Sequence, residues 1–265
     1  MPISIAHAPS KPELHYHSEE RSKNAKHTKE SCLVTGANKG IGFEVARQLA
    51  ASGCTVLLGA RDRLLGEKAA EKLKPGDVRY LAIDLDDSAT IATAAQTIDA
   101  DFGHLDILVN NAGIVVQGDG WPSSSSLDAM ERTFRVNFLG TVAVTQAMLP
   151  LLRKAPSASI INVSSGLGSL TKSGDPAWTH VAAKFLGYAS SKAALNMMTV
   201  QLAYELRDTS IKVSSVDPGY AATDLNQHRG TQTIPEGSAE IIRLALLAGD
   251  GPTGTFPNAQ GIVPW

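Results

Sequence analysis

The side chains best placed to do chemistry lie in the stretch YASSK at residues 188–192, where a tyrosine and a lysine stand four positions apart. On an α-helix this spacing puts both side chains on one face, one turn from each other. Apolar residues at helical spacing over 193–203 predict that helix. A phenol has an ordinary pKa of about 10, and an ammonium roughly 4 Å away would lower that pKa by up to about three units. Tyr188 and Lys192 therefore predict a proton donor that works near neutral pH, unless they are two unrelated residues on one helix face.

A glycine-rich turn near the start of the chain indicates a phosphate-binding site. The turn, TGANKGIG at residues 35–42, follows an apolar run at 32–34 and precedes a helical pattern over 43–50. Glycine at 36, 40 and 42 permits a tight turn and close approach of the backbone to a ligand. The amino end of the following helix offers free N–H groups and a partial positive charge to a phosphate. The spacing differs from G-x-G-x-x-G, so the prediction depends on the position of the turn directly after the first strand.

Two cations near this turn favour NADP over NAD. Dinucleotide-binding folds commonly place an acid after the second strand, where it binds the ribose hydroxyls of NAD. In this chain the second predicted strand, over 53–60, is followed by Arg61. A guanidinium pairs well with the oxygens of a 2′-phosphate, and Lys39 in the turn adds a second cation. The alternative is that Arg61 is an ordinary surface arginine.

Small and polar residues follow the other predicted strands, which lie at 78–83, 105–109, 159–163 and 211–216. Parallel strands end at a common edge, where α/β folds bind their ligands. Asp84 either accepts a hydrogen bond from an adenine amino group or caps the next helix. The remaining residues at these strand ends leave room for a flat cofactor and bring hydroxyl groups to the same crevice: Leu85, Asn111, Ala112, Gly113, Ser164, Ser165, Pro218, Gly219 and Thr223.

Composition is that of an ordinary globular protein. The chain has 265 residues, a hydrophobic fraction of 43% and a formal net charge of −2. This charge gives no reason to expect a nucleic acid or an anionic membrane as partner, and no apolar run reaches the length of a membrane span. The two cysteines, Cys32 and Cys54, do not form a disulfide framework, so a reducing compartment, the cytoplasm, is expected.

The order of the predicted elements indicates one α/β domain over 30–265, preceded by a flexible polar leader over 1–29. His15 and His17 lie in that leader without the carboxylate or cysteine spacing of a metal site. A long helix is predicted over 127–152 with Asn137 inside it, where a polar amide needs buried partners. The tail, which ends at Trp265, is a candidate seventh strand.

Together these motifs resemble the short-chain dehydrogenase/reductase family. They are TGANKGIG at 35–42, NNAG at 110–113, the serine pair at 164 and 165, YASSK at 188–192 and PG at 218 and 219. The resemblance extends from Ser31 onward and is strongest to the NADPH-dependent carbonyl reductases. It implies a single Rossmann-type, doubly wound domain with a seven-stranded parallel sheet flanked by helices.

The resemblance also implies roles for individual residues. Tyr188 would give a proton to the substrate carbonyl, Lys192 would lower the pKa of Tyr188 and hold the nicotinamide ribose, and Ser165 rather than Ser164 would bond the substrate oxygen. Asn137 would hold its helix and a water leading from Lys192 to solvent. No metal is implied. NADP(H) would be bound by Gly36, Asn38, Lys39, Gly40, Ile41, Gly42, Arg61, Asp84, Leu85, Asn111, Ala112, Gly113, Tyr188, Lys192, Pro218, Gly219 and Thr223.

The segment before the tyrosine departs from the common family pattern. Tyr188 follows Ser165 by 23 positions, more than in most members, and carbonyl-reductase-like members also carry an insertion here. Most other members pair through the helices that correspond to 127–152 and 188–207, so the insertion favours a homodimer or monomer over a tetramer. The predicted function is reduction of a small aldehyde or ketone by NADPH. The alternatives are a dedicated 3-oxoacyl reductase or alcohol dehydrogenase, and a non-catalytic NADP-sensing protein.

Overall fold

A parallel sheet of six strands forms the centre of the computed structural model, which describes residues 29–265. Residues 1–28, which include His15, His17 and most of the predicted leader, lie outside the described residues. The strands are β1 (Ser31–Thr35), β2 (Thr55–Ala60), β3 (Val78–Ala82), β4 (Ile107–Asn110), β5 (Ala158–Val163) and β6 (Ile211–Val216). Their order, β3-β2-β1-β4-β5-β6, is that of the dinucleotide-binding doubly wound fold.

Helices cover both faces of the sheet, because strands such as β1 and β2 are buried along their whole length and must be covered on each side. One apolar cluster joins β1 and β2 to the first, second and last helices, and another joins β4 and β5 to the third, fifth and seventh helices. The helices are α1 (Gly40–Ala51), α2 (Arg63–Lys72), α3 (Ser88–Phe102), α4 (Leu127–Phe134), α5 (Thr141–Leu152), α6 (Leu170–Gly174), α7 (Leu186–Glu205) and α8 (Ile234–Leu246).

The predicted seventh strand is wrong for the described residues. The tail runs beside β6 through hydrogen bonds from Ser215 N to Thr255 O (2.9 Å) and from Asp217 N to Pro257 O (3.0 Å). Between the tail and β6 the described residues form a single bridge of the parallel type, from Ser214 to Thr255. Gly254 has a φ of +66°, which is outside the extended region, and Pro257 has no N–H to donate. The tail ends instead in a two-stranded antiparallel hairpin, β7 (Pro257–Asn258) and β8 (Gly261–Ile262).

The single long helix predicted over 127–152 is interrupted by a π-helical segment, Arg135–Gly140, between α4 and α5. Asn137 lies in this segment and is fully buried. At Gly140 a Cβ would come within 2.7 Å of the Leu85 side chain, so the chain passes close to the end of the third strand. Single turns of π-helix inside α-helices occur often at functional sites, and this one places Asn137 beside the carboxyl edge of the sheet.

Candidate active site

Two cavities lie side by side over the carboxyl ends of the strands and share Tyr188 as part of their walls. The smaller cavity has a volume of about 490 Å³ and adjoins the glycine turn. The larger has a volume of about 770 Å³ and adjoins the segment between β5 and α7. The phenol of Tyr188 therefore stands between a cavity bordered by the glycine turn and a cavity with more aromatic walls.

Tyr188 lies in the first turn of α7, which Asp119 caps from a distant loop. Oxygens of the Asp119 carboxylate accept hydrogen bonds from Gly187 N and Tyr188 N, each at 2.8 Å. Ser125 Oγ donates to Asp119 at 3.0 Å and holds that carboxylate. A carboxylate at a helix amino end satisfies free N–H groups and complements the helix dipole. Asp119 therefore fixes the backbone that carries Tyr188, a role that the sequence analysis did not assign.

Lys192 is buried one turn further along α7. Its ammonium donates to Val163 O at the end of β5 (2.7 Å) and lies 5.7 Å from the centre of the Tyr188 ring. Burial lowers the pKa of Lys192 to about 8, because the charged form loses its hydration. The amine is therefore still mainly protonated at neutral pH.

The pKa of Tyr188 does not follow the sequence expectation. Burial raises the pKa of Tyr188 to about 12, a side-chain hydrogen bond with Ser165 acts in the opposite direction, and the charge of Asp217 adds to the increase. The Lys192 ammonium is directed to Val163 O and is itself partly dehydrated. The loss of hydration of the phenolate thus outweighs the attraction of the lysine.

The serine pair after β5 separates into two environments. Ser164 is 2% exposed and donates to Asn196 Oδ1 at 2.7 Å, so its hydroxyl is used in packing against α7. Ser165 is partly exposed, lines the larger cavity and interacts with the phenol of Tyr188. Of the two predicted candidates, Ser165 is therefore the one able to meet a ligand beside Tyr188.

The side chain of Asn137 is bonded on both of its polar atoms. Its oxygen accepts from Ile114 N at 2.8 Å, and its nitrogen donates to Ile114 O at 2.9 Å and to Ser191 Oγ at 3.1 Å. Asn137 thus ties the loop after β4 to α7 at the residue before Lys192. It lines neither cavity, so in this structure Asn137 positions the loop and α7 and does not face a ligand.

The glycine turn packs against the loop after β4 so closely that side chains are excluded. Gly36 has a φ of +63°, and a Cβ there would lie 2.9 Å from Ala112 Cα. Asn111 Nδ2 donates to Thr35 O at 2.9 Å and to Gly36 O at 3.2 Å. Thr35 Oγ1 accepts from Asn111 N and Ala112 N at 3.0 and 3.1 Å. Thr35, which the sequence analysis did not single out, is therefore the hydroxyl that joins the two loops.

Most residues predicted to bind the cofactor line the smaller cavity. Gly42 does not, because it is buried behind the turn, where a Cβ would come within 2.7 Å of Gly36 O. Gly219 lines the larger cavity and donates its N–H to Asp217 Oδ1 at 3.0 Å. The predicted residues that line the smaller cavity are Gly36, Asn38, Lys39, Gly40, Ile41, Arg61, Asp84, Leu85, Asn111, Ala112, Gly113, Tyr188, Lys192, Pro218 and Thr223.

The two predicted cations, Lys39 and Arg61, both line the smaller cavity and are exposed. Lys39 forms an ion pair of 2.7 Å with Asp224 from the loop after β6, and His228 Nε2 lies 2.9 Å from the same carboxylate. Hydrogen bonding and charge from Lys39 lower the pKa of Asp224. This ion pair connects the glycine turn to the loop that covers it.

Of the two sequence interpretations of Asp84, the helix cap is wrong and the contact with an adenine stays a prediction. Asp84 lines the smaller cavity, while the helix cap is provided by Asp87, whose Oδ1 accepts from Ala89 N at 2.9 Å. Within residues 29–265, no group of three histidine, cysteine or acidic side chains is arranged to hold a metal ion. No helix in that part of the chain is both long and apolar enough to cross a bilayer.

The strand order and the cavity at the carboxyl edge define a Rossmann-type protein, and comparison with known proteins identifies its family. A family model described as short chain dehydrogenase matches residues 30–233. The chain is 33% identical to short-chain dehydrogenase/reductase 1 of Saponaria officinalis, over 89% of this chain and 96% of that protein. It is 33% identical to salutaridine reductase of Papaver bracteatum, over 86% and 94% respectively. The chain therefore belongs to the short chain dehydrogenase family.

Solved structures agree with this assignment. The NADPH-bound carbonyl reductase from chicken fatty liver superposes with a TM-score of 0.77 at 28% identity, covering 89% of this chain and 99% of that one. Salutaridine reductase from Papaver somniferum gives a TM-score of 0.75 at 30% identity, covering 86% and 99%. The described fold is thus that of oxidoreductases of this family.

Proposed function

We propose that this protein is an NADPH-dependent carbonyl reductase that reduces the carbonyl group of an aldehyde or ketone. The observation that carries the proposal is the position of Tyr188, whose phenol borders both cavities. A proton donor at that junction can serve a substrate in the larger cavity while a cofactor occupies the smaller one. The NADPH-bound carbonyl reductase among the similar structures supports the same assignment.

The residues around the smaller cavity fit NADP(H). The amino end of α1 has no side-chain cap, so its free N–H groups suit a diphosphate. The strand β2 ends at the buried Ala60 rather than at an acid, which leaves Arg61 and Lys39 to bind a 2′-phosphate. Asp84 and Leu85 would adjoin the adenine, while Gly113, Lys192, Pro218 and Thr223 would adjoin the ribose and the nicotinamide end. When bound, NADPH supplies the hydride that reduces the carbonyl carbon.

In the proposed mechanism the protein controls the carbonyl oxygen. Hydrogen bonds from Tyr188 and Ser165 hold that oxygen and stabilise the negative charge that develops on it, an effect worth about 3 kcal/mol per donor in comparable sites. The proton of the Tyr188 hydroxyl then passes to the same oxygen, so the product is an alcohol. The protonated Lys192 stabilises the resulting phenolate until the phenol regains a proton from solvent. Asn137 positions α7 and the loop at Ile114 around these groups.

The protonation states favour reduction at neutral pH. With its pKa raised to about 12, Tyr188 holds its proton at pH 7 and is ready to donate it. An alkoxide is a much stronger base than a phenolate, so the transfer from Tyr188 is downhill. The reverse reaction requires the phenolate as a base and is therefore expected to need alkaline solution.

A dedicated reductase of 3-oxoacyl thioesters, or an alcohol dehydrogenase, is the second candidate function, because the same Tyr188 and Ser165 would serve either substrate. A non-catalytic NADP-sensing protein fits less well, since the tyrosine, the lysine and Ser165 are all present at the junction of the cavities. For location we propose the cytoplasm, supported by two free, buried cysteines. For assembly we propose a homodimer or monomer, which sedimentation of the purified protein would distinguish.

The test is oxidation of NADPH and, separately, of NADH by purified protein with a panel of aldehydes, ketones, quinones and 3-oxoacyl thioesters. The proposal predicts an alcohol product and a kcat/KM for NADPH well above that for NADH. Turnover confined to 3-oxoacyl thioesters would favour the second function. Tight NADPH binding without turnover on any member of the panel would contradict the proposed reductase.

A further inference from the structure

Lys172, in the wall of the larger cavity, is a cation without a complete set of partners. It lies in α6, inside the insertion between Ser165 and Tyr188, and its side chain is 24% exposed. Its ammonium is 3.8 Å from Asp217 Oδ2 and 5.9 Å from the centre of the Trp178 ring. Within residues 29–265 no hydrogen bond links this ammonium to an acceptor, so three strong N–H donors remain available to a ligand.

The carboxylate beside Lys172 is already bound by the protein. Asp217 is 7% exposed, and it accepts from Gly219 N at 3.0 Å and from Asn258 Nδ2 at 3.4 Å. Its side chain therefore holds Lys172 in place without offering much surface to a substrate. Asp217 Oδ2 also lies 3.0 Å from the point that a Cβ of Gly166 would occupy. Because Gly166 directly follows Ser165, the lysine is held close to the proposed reaction site.

The accessible charge of this cavity is positive. Its charged wall residues are Lys172, Arg229 and the nearly buried Asp217. The rest of one wall is aromatic, with ring centres of Trp178 and His180 5.5 Å apart and those of His180 and Tyr220 5.6 Å apart. A volume of about 770 Å³ lies within the range for drug-sized ligands. The cavity thus combines room for a flat ring with a cation at one side.

We propose that Lys172 binds a carboxylate of the substrate, so that the preferred substrates are aromatic ketones or aldehydes that carry a carboxylate besides the reacting carbonyl. This inference rests on the proposed carbonyl reductase function. A carboxylate beside an ammonium gains the Coulomb attraction of two opposite charges in addition to the hydrogen bond, whereas a neutral ester oxygen gains only the hydrogen bond. A partly dehydrated lysine therefore discriminates in favour of an acid over its neutral ester.

The first test measures binding without turnover. Binding of 4-acetylbenzoate and of its methyl ester to the protein saturated with NADP⁺ is measured by calorimetry. The acid is expected to bind about ten-fold more tightly than the ester. Lys172→Met, which removes the charge but keeps an unbranched side chain of similar bulk, should remove this preference, whereas Lys172→Arg should retain it. Lys184→Met changes a lysine of the same insertion that does not line the cavity and should behave as the wild type.

Equal binding of acid and ester by the wild type overturns the proposal, as does failure of both to bind at millimolar concentration. An acid preference that survives in Lys172→Met also overturns it. A structural role for Lys172 would weaken both ligands equally, leaving their ratio unchanged. Measuring kcat/KM for 4-acetylbenzoate and its methyl ester with NADPH separates the proposed carboxylate site from the proposed reductase function. Acid binding through Lys172 without reduction of any carbonyl compound would refute the proposed function while leaving the carboxylate site in place.

Discussion

Replacing Lys192 with methionine should stabilise the folded protein at neutral pH. Burial lowers the pKa of this lysine from its ordinary 10.5 to about 8, so the folded state carries the cost of a poorly hydrated charge. The shift corresponds to about 3 kcal/mol. Loss of the hydrogen bond to Val163 O costs about 1 kcal/mol in the opposite direction. The net gain expected for Lys192→Met at pH 7 is therefore about 2 kcal/mol.

The pH dependence of this gain has a definite sign. Between pH 8 and 10.5 the folded protein gives up the Lys192 proton before the unfolded chain does. The unfolded state then binds more protons, so the lysine's contribution to the free energy of unfolding rises with pH. The variant lacks this contribution. Its advantage over the wild type should fall by about 2 to 3 kcal/mol between pH 7 and pH 10.

Urea unfolding followed by tryptophan fluorescence at several pH values measures this difference. Lys68→Met on the exposed face of α2 is the matched control, because it removes a lysine charge that is not buried. An unfolding free energy difference that stays constant from pH 7 to pH 10 for Lys192→Met would refute the reasoning. It would mean that contacts in the folded protein fully offset the free-energy cost of burying the Lys192 charge.

Three further changes test the elements around the site. Arg61→Ala should lower kcat/KM for NADPH about ten-fold or more without changing that for NADH, because the lost partner is the 2′-phosphate. Asp224→Asn releases Lys39 from an exposed ion pair and should tighten NADPH binding by up to about five-fold, measured by calorimetry. Asp119→Ala removes two hydrogen bonds at the amino end of α7. It should lower the free energy of unfolding by about 1 to 2 kcal/mol, measured by urea unfolding, and it should also lower kcat.

Each of these predictions has a result that contradicts it. Equal losses for NADPH and NADH in Arg61→Ala would remove this residue from the 2′-phosphate site. Unchanged or weaker NADPH binding by Asp224→Asn would show that the Lys39 pair does not compete with the cofactor. Wild-type stability and kcat in Asp119→Ala would show that α7 keeps its first turn without the carboxylate.

The parts of the structure that the sequence predicted are those determined by local patterns. The strand β6 was predicted with the observed bounds because it has β-branched residues at Ile211, Val213 and Val216 and is followed within two residues by Pro218. The turn at 35–42 was recognisable because Gly36 and Gly40 have positive φ, a requirement that selects glycine. The order of the motifs along the chain then implied the doubly wound sheet.

What the sequence did not predict depends on distant contacts. The seventh strand was wrong because pairing beyond β6 is limited by Gly254 and Pro257, whose effect depends on register. The long helix over 127–152 contains a π-helical segment that no local sequence pattern predicts. Asp119 caps α7 from 68 positions upstream of Gly187, whereas a capping residue that a sequence pattern reveals lies next to its helix. The spacing of Tyr188 and Lys192 predicts a lowered pKa for the phenol, but the burial that raises this pKa depends on tertiary packing that the spacing does not show.

The most direct test of the proposed function follows deuterium from NADPH labelled at the transferred position, using a ketone that the wild-type protein reduces. The wild type is expected to yield an alcohol with deuterium on the former carbonyl carbon. Tyr188→Phe should yield no such alcohol while binding NADPH with nearly wild-type affinity, because the phenol acts on the substrate oxygen. Labelled alcohol formed by Tyr188→Phe at the wild-type rate would contradict the central role given to Tyr188.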